Sequence, residues 1–118
     1  MGNKNILDAI FLICDTKLDA ERKRGDFDNF KVTVHTPVKY ILQLCDIMHM
    51  KKPNLPNSSF YIHADHNHAL YEFVLDRDLE TKFNVSITSS NGRMHHTTAF
   101  EVDYDLIALY LERVNKNV

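Results

Sequence analysis

Between Asn5 and Arg24 apolar residues recur at helical spacing: Ile6, Ile10, Ile13 and Cys14 form a stripe that Leu7, Phe11 and Leu18 widen. Arg22, Lys23 and Arg24 suit the negative end of the helix dipole, and Gly25 suits the left-handed residue that closes a helix. The period then changes. Phe30, Val32 and Val34 alternate with polar residues, as in a strand running to His35. Thr36-Pro37 reads as a helix start, a hydroxyl cap followed by proline in the first turn. The helix so begun carries Val38, Ile41, Leu42, Cys45 and Met48 on one face, and Pro53 predicts its end near Met50.

From Phe60 onward the period is two. A strand from Phe60 to Ala64 and another from His68 to Leu75 flank a predicted turn at Asp65-His66-Asn67. After the charged connection from Asp76 to Thr81, Phe83, Val85 and Ile87 face one way while Lys82, Asn84, Ser86 and Thr88 face the other. Asn91-Gly92 predicts a type I′ hairpin turn, and the return strand runs from Arg93 to about Val102. Asp103 caps the last helix, Asp105 sits in its first turn, and Val102 and Ile107 occupy the positions of a hydrophobic staple. Leu106, Ile107, Tyr110, Leu111 and Val114 supply its buried face.

The order α-β-α-β-β-β-β-α predicts an α+β fold: an antiparallel sheet of four to five strands, with three helices packed mainly on one face. The four consecutive strands read as a meander. No repeat or linker divides the chain, so residues 1–118 read as a single domain.

Composition changes this picture little. The 118 residues are 44% hydrophobic and 25% charged, the balance of a globular chain rather than a disordered one. Cys14 and Cys45 each sit in an apolar run, where a free cysteine behaves as a small hydrophobe. The opening residues do not read as a secretory leader, and Ala9 to Cys14 is too short to span a bilayer. A cytoplasmic location without membrane association is therefore expected, where the N-x-S/T triplets at Asn57 and Asn84 meet no glycosyltransferase. Asparagine outnumbers alanine and lysine outnumbers arginine, a balance favouring AT-rich codons as in many phage genomes.

Charge and motif content exclude several chemistries. A net charge of −2 argues against gripping nucleic acid through the whole surface. Glycine occurs only at Gly2, Gly25 and Gly92, so no glycine-rich loop cradles a phosphate, and no cofactor is expected. No serine occupies a nucleophile elbow. Asp76, Asp78 and Glu80, like Asp26 and Asp28, read as exposed loop charge.

Two constellations keep other readings open. His63, Asp65, His66 and His68 are metal-ligand types within six residues, and His95-His96 lie in another strand, so a metal-dependent hydrolase is one alternative. Alternation sends His95 and His96 to opposite faces, so at most one could join such a site. Arg22, Lys23, Arg24, Lys51, Lys52 and Arg93 offer a second alternative, a nucleic-acid-binding factor, though aromatic residues are not interleaved among them. The leading expectation is a non-catalytic protein–protein interaction module, a small regulatory or inhibitory factor. Its contact surface is expected to combine Lys51, Lys52, Asn54 and Asn57 of the longest loop with Asp65 and His66 of the histidine-rich turn. Free sheet edges also make a homodimer one of the expected partnerships.

Overall fold

The computed structural model describes residues 5–52 and 61–116, apart from the side chain of Val114. Eight elements follow in the expected order: α1 (Ile6–Lys23), β1 (Asn29–Thr36), α2 (Val38–Ile47), β2 (Tyr61–His66), β3 (Ala69–Leu75), β4 (Lys82–Ser90), β5 (His95–Asp103) and α3 (Tyr104–Asn115). Expectations at Phe60, Asn54, Asn57 and the Val114 side chain fall outside the described residues.

α1 opens with a capping box: Asn5 Oδ1 accepts from the Asp8 amide at 3.1 Å, and Asp8 Oδ2 accepts from the Asn5 amide at 3.0 Å. Ile6, Ala9, Ile10, Ile13, Cys14 and Leu18 form its buried stripe, and Gly25 follows its end at a φ of 76°. Asp103 caps α3 by accepting from the Leu106 amide at 2.8 Å.

α2 departs from expectation at both ends. Thr36 does not cap it; the residue is buried in β1, where its hydroxyl donates to the Val34 carbonyl. Pro37 is the N-cap, without a side-chain bond. The helix stops at Ile47 because a Schellman motif closes it: Met50 N–H donates to the Cys45 carbonyl and His49 N–H to the Asp46 carbonyl, with His49 left-handed at a φ of 56°. That local closure acts before Pro53 is reached.

The sheet has five strands in the order β2-β3-β1-β4-β5. It is mostly antiparallel, but β1 runs parallel to β3, pairing Lys31 with Leu70 through to Thr36 with Leu75. The expected meander is therefore two hairpins with β1 inserted between them. α2 and β2 form the long crossover that a parallel pair requires. The β3–β4 connection passes the end of β1, where the Asp76 amide donates to the Thr36 carbonyl at 2.9 Å.

Alternation assigns the two faces. Val32, Val34, Ile62, Tyr71, Phe73, Phe83, Val85 and Ile87 join the helix stripes in one buried cluster. Lys31, Thr33, His35, His63, Glu72, Lys82, Asn84, Ser86 and Thr88 lie on the other, helix-free face. No helix among the described residues is long and apolar enough to cross a membrane.

Two consequences of this packing are testable. The Tyr40 ring lies 5.0 Å from that of Phe83, yet its hydroxyl is buried without a hydrogen-bond partner among the described residues. Tyr40→Phe keeps the ring and removes the orphan group, so it is expected to stabilise the fold by about 1 kcal/mol, read as a higher urea midpoint. A lower midpoint contradicts it.

Cys14 and Cys45 are unpaired and buried. Burial pushes the Cys14 thiol from an ordinary value of 9.0 up to about 12, with Tyr71 opposing and Asp15 adding to the rise. Tyr71 is raised too, first by burial and then by Cys14 and Asp15. Both groups stay neutral in the folded chain while the unfolded chain ionises. The contribution of Cys14 is therefore complete below about pH 9 and is lost as pH climbs toward 12, and that of Tyr71 begins to fall only above its ordinary value of 10.0. Stability is expected to fall over that window by up to about 1.4 kcal/mol per pH unit for each group. The native thiols are expected to resist alkylation at about pH 8 until urea unfolds the chain. Rapid labelling of the folded protein is the contrary result.

Candidate functional site

The histidine-rich segment is a β-hairpin, with its turn at Asn67-His68 rather than at Asp65-His66-Asn67. Asp65 and His66 belong to β2, and His66 pairs with Ala69. The turn is Asn67-His68, with φ of 52° and 59°. Two consecutive left-handed residues make a type I′ turn, the two-residue connection that matches strand twist. The turn expected at Asn91-Gly92 is different. Ser90 pairs with His95, which leaves a four-residue loop, and only Gly92 of that pair has a positive φ. Asn91 Oδ1 accepts from the Arg93 and Met94 amides at 3.0 and 2.8 Å, and this side-chain cap supports the wider loop.

Left-handed backbone at a non-glycine residue is costly, and here the turn is anchored to α1. Asp15 Oδ1 accepts from Asn67 Nδ2 at 3.0 Å, and Asp15 Oδ2 lies 3.3 Å from His66 Nε2. The guanidinium of Arg22 donates to the Asn67 carbonyl and sits 4.9 Å from the centre of the Phe30 ring. The His66 ring stacks on Phe11 with centroids 4.0 Å apart and planes 4° from parallel.

These contacts separate the four residues read as metal ligands. His63 lies on the helix-free face, with Nε2 3.0 Å from Glu72 Oε2. His66 lies on the opposite face against α1. Asp65 is exposed on the helix-free face and His68 is exposed in the turn. No group of three or more His, Cys, Asp or Glu side chains that could hold a metal ion occurs among the described residues. Two other histidines pair with carboxylates: His35 with Asp76 at 3.5 Å, and His96 with Glu21 at 3.6 Å. His95 and His96 take opposite faces, as alternation requires.

The basic residues are also distributed. Arg24 lies 3.4 Å from Glu21, and Lys52 Nζ lies 3.4 Å from Asp46. Lys51 and Lys52 are both exposed.

The fold does bring one set of residues together that sequence order keeps apart. Asp65, Leu70, Lys31 and Thr88 form a cross-strand row over β2, β3, β1 and β4. That row lines an open groove of about 780 Å³, which Asp28, Asn29, Ser90, Asn67 and His68 also line. Leu70 remains 43% exposed there, and Lys31 Nζ reaches Glu72 at 3.9 Å. Alternation in the sequence puts Thr88 on the polar side, but only the strand order makes these residues neighbours. Asp15 and Phe11 gave no sequence signal beyond an ordinary helix, and Arg22 was legible only as a basic residue at a helix end and in the nucleic-acid alternative.

The chain matches no protein-family model, no characterised protein and no solved structure.

The turn conformation yields a direct test. Glycine at the second position of a type I′ turn carries no left-handed penalty, so His68→Gly is expected to stabilise the protein by about 1 kcal/mol. Chemical denaturation against the wild type reads the change; a loss of stability shows that the imidazole has a structural role.

Proposed function

We propose that this chain is a non-catalytic interaction module that holds a polar segment of another protein in the groove beside the Asn67-His68 turn. The observation that carries the reading is the groove itself. It offers a cation at Lys31, carboxylates at Asp28 and Asp65, amides at Asn29 and Asn67, hydroxyls at Thr88 and Ser90, and an apolar spot at Leu70. Such a mixture suits reversible recognition of a peptide segment, since all of these groups but Asp28 sit on a sheet or an anchored turn and lose little freedom on binding.

The surroundings support binding over bond chemistry. Both thiols are buried, and the imidazoles of His63 and His66 each pair with a neighbouring carboxylate. Two buried, unpaired cysteines also support a reducing, cytoplasmic setting for a small regulatory or inhibitory factor. Of the contact residues read from sequence, Asp65 and His66 line the groove, while Asn54 and Asn57 lie outside the described residues.

Leu70→Asp tests the reading, because it changes an exposed position in the groove and leaves the buried cluster intact. The variant is expected to keep the wild-type circular dichroism and melting temperature. Cross-linking in cells followed by quantitative mass spectrometry is expected to recover a protein with the wild type that drops by roughly 10-fold with the variant. Equal recovery by the two chains removes the groove as the contact site.

A further inference from the structure

The strand order leaves β2 and β5 as the two edges of the sheet. β2 has six residues, whereas β5 has nine and pairs with β4 without a break, from Lys82 with Asp103 to Ser90 with His95. Natural edges are commonly guarded by lysine, proline, a bulge or short length, because unpaired N–H and C=O groups template another strand. β5 reads His95-His96-Thr97-Thr98-Ala99-Phe100-Glu101-Val102-Asp103 and carries none of those guards. Its threonine, phenylalanine and valine favour extended backbone. α1 steadies its inner side: Glu21 accepts from the Thr98 hydroxyl at 3.2 Å, and Lys17 Nζ lies 5.3 Å from the centre of the Phe100 ring.

We infer that β5 is the interface between two copies of this chain, paired antiparallel about a two-fold axis at Ala99. The register follows from the residues. An axis at Ala99, the middle of the strand, is the one that pairs every position of β5. On the helix-free face His95 then faces Asp103 of the second copy, Thr97 faces Glu101, and Ala99 faces itself. The two carboxylates of the strand meet an imidazole and a hydroxyl rather than each other, which is charge complementarity built into the sequence. Alanine, the smallest side chain in the strand, occupies the position where identical side chains must meet. On the helix side Thr98 faces Phe100 and His96 faces Val102. The axis is perpendicular to the sheet, so two five-stranded sheets become one, with both grooves on the same side.

Light scattering during gel filtration at about 100 μM chain is expected to give twice the chain mass of 13.8 kDa. Ala99→Lys sets two ammonium groups together at the axis, on an exposed position, and is expected to weaken the dimer by roughly 100-fold while circular dichroism stays unchanged. Ala99→Cys is expected to form a disulfide-linked dimer on mild oxidation, because paired residues lie about 4.5–5.5 Å apart between Cα atoms, within disulfide reach. Thr97→Cys places its two thiols four positions out of register and is expected to stay unlinked. The groove takes no part in the pairing, so Leu70→Asp is expected to dimerise as the wild type does, and the two readings fail independently. A monomeric wild type overturns the inference. So does a dimer that survives Ala99→Lys or links equally through both cysteine variants.

Discussion

The structure depends on one long helix lying across one face of one sheet. α1 buries Ile6, Ala9, Ile10, Ile13, Cys14 and Leu18, and its flanking side chains reach four of the five strands. Phe11 touches Tyr71 of β3 and His66 of β2, Arg22 covers Phe30 of β1, and Lys17 and Glu21 reach β5. Each fully buried aliphatic side chain on that stripe is worth about 1.5–3 kcal/mol. The apolar seam therefore sets the energy, while the polar flanks set where each hairpin sits.

Those flanks explain the pairing of charged groups. A helix seated on a sheet brings the carboxylates beside its stripe partly out of water, and such groups need partners. Asp15 finds them in Asn67 and His66, and Glu21 finds them in Thr98, His96 and Arg24. Histidine clustering in this chain is thus largely a consequence of the helix–sheet seam and of Glu72 on the opposite face. The left-handed turn at Asn67-His68 persists for the same reason: α1 holds it from two sides through Asp15 and Arg22.

Local physics was legible in the sequence where local forces decide. The cap at Asp103, the left-handed Gly25 and the alternation of β1 and β4 all follow from near neighbours, and all are present. Thr36 and His49 show the limit. Thr36 is a good cap by type, but β1 claims it as a buried ladder residue; His49 closes a helix with a conformation glycine usually supplies. The type I′ turn read at Asn91-Gly92 is found at the other hairpin, since Asn91 spends its side chain on a wider loop while Asn67 takes the tight turn. The groove was illegible as a unit. Its row joins residues from four strands, and periodicity carries no information about which strands are neighbours.

Strand order also governs what the molecule can offer a partner. In a simple meander β1 would be an edge, and Val32 and Val34 would lack neighbours on one side. Placed centrally, between β3 and β4, β1 buries both valines completely and pairs on both sides. The same insertion leaves the six-residue β2 at one edge, while the nine-residue β5 keeps the other. It also brings Lys31 between Leu70 and Thr88, which creates the groove. A single topological choice thus buries the valines of β1 on both sides and assembles the polar recess, while the nine-residue edge of β5 stays open. The core's need to bury β1 is what assembles the groove, on a face that a partner can reach.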